Sequence, residues 1–354
     1  MIRIAVHPDH HTVMGNLHQS FSDHWMEVGN RMGIRVEPVN AYEHDFFKTI
    51  KQYDAFLWRY AGRDEKEWAS RLLPSVSQGL GIPVFPSTET IWHSGDKISG
   101  QMLLKTAGVP TPIDWWFFQY SDARKFCEEA EFPVVFKLRS GAGKSENVTL
   151  IRDKATCKKF VDIMFTCGME SIWEVSGSKI KTKTRSLVNS FKETMGRSRS
   201  RQIQKGYAYF QEFLPGNSGD VRLQIIGSKV FAFRRQNRTN DFRASGSGNI
   251  DYEPEEIGAD LATFGWRASR AIGMPFCSLD VIFDGGEPKV IEINYSYVAE
   301  AVRRCPGYWD FSCDGEWVAE NIGPEAYTLE EFIRLNFPRV WDQLVTAHNH
   351  CNGS

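Results

Sequence analysis

The chain has 354 residues, a length for two or three domains, with 42% hydrophobic and 24% charged residues. A formal net charge of −2 provides no global field for nucleic acid or a membrane surface, and no apolar run approaches the length of a membrane span. Seven scattered cysteines, with no C-x-x-C pair, fit neither a disulfide framework nor a zinc knuckle. The N-terminus reads as a short strand rather than a signal peptide, so a cytoplasmic location is expected.

In chain order, 2–6 reads as a strand, 20–32 as a helix stopped by Gly33, and 34–39 as a strand. A helix at 45–52, a strand at 55–58 and a short strand at 83–86 between prolines follow. This βαβ rhythm predicts a small parallel sheet with helices on both faces over 1–95. Residues 96–106 form the next helix, closed by Gly108 and Pro110. Then come strand 115–118, helix 121–130 capped by Ser121, strands 133–138 and 147–151, and helix 154–165. The remainder is richer in strands, at 207–214, 221–226, 229–235, 279–283 and 289–294, with a helix over 258–272. Trp25, Trp58, Trp68 and Trp92 read as packing residues. No internal repeat of about 20–50 residues is present.

Segment 179–205 stands apart: nine Lys and Arg residues face the single acid Glu193. It reads either as a solvated surface loop or as a flap that meets an anionic substrate or acidic polymer.

The strongest chemical signal is a hairpin. Two apolar strands, 279–283 and 289–294, flank the Gly-rich turn 284–288. If Phe283 pairs with Lys289, Asp280 faces Glu292, and Asn294 shares their side of the sheet. Opposed carboxylates repel unless a cation lies between them. Two acids and an amide suit Mg²⁺ or Mn²⁺ carrying nucleotide phosphates.

A second signal is Lys137, ending an apolar strand before a loop containing Gly141 and Gly143. Gly143-Lys144-Ser145 matches the end of a P-loop, but the leading glycine would fall at Leu138 and a strand follows instead of a helix. A strand–loop–strand covering phosphates remains, beside the alternative of a plain hairpin with Lys137 reaching solvent. A third is Gln211, Glu212, Phe213 and Leu214, where alternation puts Gln211 and Phe210 on opposite faces. Such a strand could lie against a purine ring, although by itself it reads as an edge strand. The fourth is Asp220 and Arg222, then Arg234, Arg235 and Asp241-Phe242-Arg243 ahead of a Gly/Ser loop with Ser245. Arginines there suit charge developing on a transferring phosphoryl group, or form a solvated cluster.

Together and in this order, these elements resemble the ATP-grasp superfamily, and within it the glutathione synthetase-like and ribosomal-protein glutamate ligases. The resemblance runs from Asp96 to Tyr297 and extends to the N-terminal sheet. It implies an α/β and α+β architecture, the ATP-grasp fold behind an N-terminal pre-ATP-grasp domain. The implied divisions are 1–95, an ATP-grasp N-terminal subdomain at 96–206 with the basic insertion 179–205, a C-terminal subdomain at 207–345, and a tail at 346–354. It also implies ATP and Mg²⁺ or Mn²⁺ as cofactors, with carboxylate and amine substrates, small molecules or peptides, joined through an acyl-phosphate. Homodimers are common among such proteins.

By the same resemblance, Lys97 and Lys137 reach ATP phosphates, with Gly141 and Gly143 in the covering loop. Gln211, Glu212, Phe213 and Leu214 form the adenine strand and Asp220 the ribose contact. Arg243, with Arg222, serves catalysis, and Asp280, Glu292 and Asn294 hold the metal. Lys97 has independent support, because a cation in the first turn of a helix opposes the helix dipole and gains from an anionic partner. The chain departs from the family where Asp-Phe-Arg-Ser-Asn becomes Asp241-Phe242-Arg243-Ala244-Ser245, so a serine stands in for an asparagine contact. An ATP-grasp enzyme using bicarbonate or a thiol, and a nucleotide-binding protein without chemistry, are the alternative readings. His7, His10 and His11 follow the first strand, where parallel sheets present ligand-binding loops, and read as substrate contacts or plain surface. The segment from Cys305 to Asp310 has no derivable role.

Overall fold

The computed structural model describes residues 2–9, 12–13, 17–18, 20–60, 63–141, 147–171, 202–238, 241–244 and 248–352. Gly143, Ser245, His10 and His11 lie outside these, as does the basic segment 179–205 up to residue 201. Its last residues contribute the strand Gln202–Gln204, paired with Met169–Ser171.

The N-terminal sheet is four-stranded and parallel, in the order Arg35–Pro38, Arg3–Val6, Ala55–Leu57, Val84–Phe85. Helix Phe21–Arg31 covers one side. Ser20 caps it by accepting from the Asp23 amide, and Gly33 leaves it at φ 71°. The 45–52 segment is a short α-turn, Phe46–Thr49, running into a 3₁₀ turn, Ile50–Gln52. The 18-residue helix Arg63–Leu80 has no counterpart in the sequence reading. Pro74 inside it and the surrounding polar residues obscure its period.

A second sheet is antiparallel, in the order Asp114–Phe117, Ala208–Glu212, Val134–Lys137, Val148–Ile151. Strand Ala208–Glu212 is therefore internal rather than the edge strand its sequence suggests. It lies beside strand Val134–Lys137 because the intervening chain returns to the sheet more than 60 residues later. Phe136, Phe210 and Ala208 face a core formed with helices Tyr120–Glu129 and Lys154–Phe165. The opposite face carries Asp114, Gln211 and Lys137. Ser121 does not cap its helix. Gln119 occupies the cap position without a side-chain bond, and the helix starts one residue earlier than expected.

The third sheet runs Glu287–Asn294, Phe276–Asp284, Gly219–Ile226, Lys229–Gln236, Tyr308–Asp310, Glu316–Val318. Helix Ala259–Ala271 packs on one face through Leu261, Ala262 and Ala268. Helix Pro324–Asn336 packs beside helix Phe21–Arg31, where Trp25 Nε1 donates to the Glu325 carbonyl at 3.1 Å. The segment from Cys305 to Asp310 thus has a structural role: it extends the sheet, with Cys305 and Tyr308 buried. The final helix, Pro338–Asn352, runs without a break through the stretch expected as a tail. Trp25 and Trp58 are core residues as expected. Trp68 and Trp92 are 54% and 58% exposed, so they do not pack as their size suggests.

Candidate active site

The second and third sheets face each other across a cleft of about 850 Å³, counted to its open mouth. Lys97, Lys137, Gln211, Glu212, Phe213, Leu214, Asp220, Arg243, Asp280 and Glu292 line it together. Arg222 and Asn294 sit behind this lining, bonded to Asp280 and Glu292 respectively. Gly141 contributes its carbonyl, which accepts from Lys97 Nζ at 3.2 Å. Its φ of 125° requires glycine, and a Cβ there would collide with the Asn147 side chain.

The hairpin reaches the expected convergence by a different route. Gly285 and Gly286, both at positive φ, form a two-residue turn, so Phe283 pairs with Pro288 rather than Lys289. Ile291 then bulges out of register, which restores Asp280 opposite Glu292. The bulge also aims the Ile291 carbonyl at Lys137 Nζ, 3.4 Å away. Helix Lys97–Thr106 docks on this hairpin. Gly100 allows close approach, since a Cβ would meet the Ile293 side chain at 2.8 Å. Asp96 caps the helix by accepting from Ile98 and Ser99, and Lys97 Nζ lies 3.5 Å from Glu292.

The cations expected between opposed acids are supplied here by the protein itself. Arg222 pairs with both Asp280 oxygens at 2.7 and 2.8 Å. Arg235 pairs with Asp220 at 2.6 and 2.7 Å and also reaches Asp280 at 2.7 Å. Burial works to raise the Asp280 carboxyl, yet the two guanidiniums outweigh it and hold Asp280 below the ordinary carboxylate range. Asp220 moves the other way, raised by burial and by the neighbouring Asp280 charge. Enclosure in the cleft pushes Glu292 up, but Lys97 holds it below its ordinary value.

Asp280, Glu292 and Asn294 fit a hard divalent cation in donor chemistry. Asn294 Nδ2 donates to Glu292 Oε1 at 3.1 Å, so the amide oxygen is the atom left to ligate. A cation on Asp280 would take the place of a guanidinium. Among the described residues, no group of three or more His, Cys, Asp or Glu is placed to hold a metal. Two acids and an amide match a magnesium ion that brings phosphate and water as its other ligands.

On the opposite wall, Lys137 is buried, and desolvation pushes its ammonium down to about 8. Lys137 Nζ donates to Gln211 Oε1 at 2.5 Å. Gln211 Nε2 donates in turn to Asp114 at 2.8 Å. Arg243 spans the two walls, pairing with Asp241 at 2.6 Å and donating to the Val148 carbonyl at 2.9 Å. Phe213 and Phe242 meet edge to face near the mouth, with centroids 5.9 Å apart.

Arg235, expected among arginines for a phosphoryl group or a solvated cluster, instead pairs with buried acids, and Asp114 had no expected role. Arg235 was legible: a two-residue turn at Gly227-Ser228 pairs Asp220 with Arg235. Asp114 was not, because its partner Gln211 is 97 residues away in sequence. His7 is buried in packing, not displayed to a ligand; it accepts from the Ala41 amide and lies tilted against Trp58, with ring centroids 4.4 Å apart.

No family model matches the chain. A probable alpha-L-glutamate ligase of Maridesulfovibrio salexigens is 33% identical over 101 residues, 27% of this chain and 32% of that protein. The chain thus matches about a third of that relative's length. The alpha-aminoadipate–LysW ligase LysX of Saccharolobus solfataricus is 20% identical over 294 residues, 80% of this chain and 88% of its own. Among solved structures, D-alanine–D-alanine ligase of Bacillus anthracis superposes with a TM-score of 0.52 at 15% identity, covering 97% of this chain and 100% of that one. Its complex with ATP gives 0.50 at 16% identity, covering 97% and 98%. The chain has the ATP-grasp fold, and its sequence is similar to those of glutamate and LysW ligases.

Proposed function

We propose that this protein is an ATP-dependent carboxylate–amine ligase whose two halves, built on the second sheet with its strand Ala208–Glu212 and on the third sheet, close on MgATP; the division expected at 206/207 therefore falls after Glu212. One observation carries the reading: a single cleft between two sheets brings Lys97, Lys137 and Arg243 together with Asp280 and Glu292. That combination suits a polyphosphate held by cations on one side and by a metal on carboxylates on the other. The names of the relatives support a ligase, and the ATP complex of a solved neighbour supports the nucleotide.

In this reading, Lys97 and Lys137 hold the phosphates, and Arg243 neutralises charge on the transferring phosphoryl group. Phe213 and the backbone of 212–214 take the adenine, and Asp220 the ribose. Asp280, Glu292 and the Asn294 amide oxygen would hold Mg²⁺, which supplies Lewis-acid neutralisation of the phosphate oxygens. A substrate carboxylate oxygen attacks the γ-phosphorus and ADP leaves. The amine nitrogen then attacks the acyl carbon, phosphate leaves, and the ammonium proton passes to solvent. No nucleophile from the protein is needed. Among the described residues no helix is long and apolar enough to cross a membrane.

Phosphate release measured over a panel of amino acid and peptide pairs tests this reading. Release that requires both a carboxylate and an amine, with amide formed in step, is expected. Release stimulated by bicarbonate alone, or indifferent to every acceptor, would overturn it.

A further inference from the structure

We propose that Asp114, acting through Gln211, is the buried anion that orients and charge-balances Lys137 for the nucleotide. The proposal rests on the nucleotide reading of the cleft and adds two positioning residues to it.

Lys137 ends its strand inside the cleft wall, among Val135, Gln211 and the Ile291 carbonyl. A buried ammonium needs an anion nearby, or it surrenders its proton. Among the described residues no carboxylate is in ion-pair contact with it. The nearest relief is indirect, because Gln211 stands between Lys137 and Asp114. A carboxylate only accepts hydrogen bonds and an ammonium only donates them. Gln211 must therefore turn its NH₂ to Asp114 and its oxygen to Lys137, so the two charges fix an amide that could otherwise flip. Because Gln211 is buried and committed at both ends, its side chain is a strut for Lys137 rather than a ligand for adenine.

Asp114 is built into this position. It pairs with Gln211 across neighbouring strands, and its side chain is fully buried. One oxygen, Oδ1, takes both Tyr209 Oη and Gln211 Nε2 at 2.8 Å. The other, Oδ2, has no hydrogen-bond partner and faces Lys105 Nζ at 3.5 Å. Lys105 is about one-third exposed and competes from the edge of the sheet for the same charge. Asp114, Glu292 and Asp280 favour the charged form of Lys137, and Lys97 opposes it. Of these acids, Asp114 alone stays clear of the proposed metal, so its effect on Lys137 persists whether or not a cation is bound.

The geometry provides a clean test. Asp114→Asn can keep both hydrogen bonds on its remaining oxygen while removing the charge. ADP binding in magnesium buffer is measured by calorimetry from pH 6.5 to 9.5. Wild type should bind evenly at low pH and weaken as Lys137 loses its proton. In Asp114→Asn the break should fall about one pH unit lower, so ADP binds roughly fivefold weaker at the wild-type break, approaching tenfold above it, and within about twofold at pH 6.5. Adding Gln211→Glu places a carboxylate directly against Lys137 and should restore the break. Lys105→Met, at an accessible position that leaves the core intact, should move it upward. An unshifted break in Asp114→Asn, or an equal loss at every pH, would overturn the proposal, as would a Lys105→Met break that stays put or moves down. Absence of ADP binding in the wild-type protein would instead reject the nucleotide reading, and the proposal with it.

Discussion

The two walls of the cleft solve the problem of buried charge in opposite ways. On the third sheet, Asp220 and Asp280 meet Arg222 and Arg235 directly, with every contact between 2.6 and 2.8 Å. On the second sheet, among the described residues, Lys137 has no anion in direct contact and depends on an amide to reach one. Direct bidentate pairing with two guanidiniums holds Asp280 in its charged form, although burial and the Asp280 charge raise Asp220. A relay through Gln211 leaves Lys137 near its tipping point, pushed down to about 8 by burial. One wall is a fixed electrostatic frame and the other is tunable, and the same substrate must satisfy both.

The largest expected effect lies on the fixed wall. Glu292→Gln removes a ligand charge and should cut ATP turnover about 100-fold or more with the fold intact. Phosphate release alongside a thermal melt checks it, and full activity would remove the metal assignment. Next comes Arg235→Met, which strands Asp220 and partly strands Asp280. Breaking a buried pair of this kind costs about 3–5 kcal/mol, read by urea denaturation. A loss of a few tenths would mean that Arg222 alone carries the frame.

Lys137→Met on the tunable wall, and Lys97→Met on the helix docked against the hairpin, should each weaken ADP binding by roughly 10- to 100-fold, the scale of a lost hydrogen bond to a charged group. Unchanged dissociation constants in both variants would leave the Gly141 loop a structural hairpin. The smallest effect is a stability difference. The native pKa of Lys137 lies below the unfolded value of 10.5, so above about pH 8 the unfolded chain binds more protons than the native one. Wild-type stability should therefore rise relative to Lys137→Met as pH climbs from about 8 toward 10.5. Parallel curves would show that Lys137 keeps its charge in the free protein and that the two walls behave alike.

Much of the cleft was legible before any tertiary contact was known. Period-two alternation placed Asp280, Glu292 and Asn294 on one face, and Gln211 opposite Phe210. A helix with the cation Lys97 in its first turn was expected, and the structure adds that Asp96 caps it. The register that brought Asp280 to Glu292 was mistaken in its turn, and only the bulge at Ile291 rescued the outcome. A bulge inserts one residue without any strong sequence mark, so it could not be foreseen.

The sequence by itself determined what short-range physics controls: the helices at 20–32 and 96–106, a Gly-rich turn between the hairpin strands, strand faces, and the residue types suited to phosphate and metal. Tertiary structure decided what depends on distant neighbours. It placed strand Ala208–Glu212 inside its sheet, left Trp68 and Trp92 on the surface, and drew Cys305 and Tyr308 into the core. It also set Asp114 beside Gln211 across 97 residues of chain. Local propensity fixes which face a side chain takes. Which charge it meets there is fixed by packing between sheets, where desolvation makes each unpaired group costly enough to select its partner.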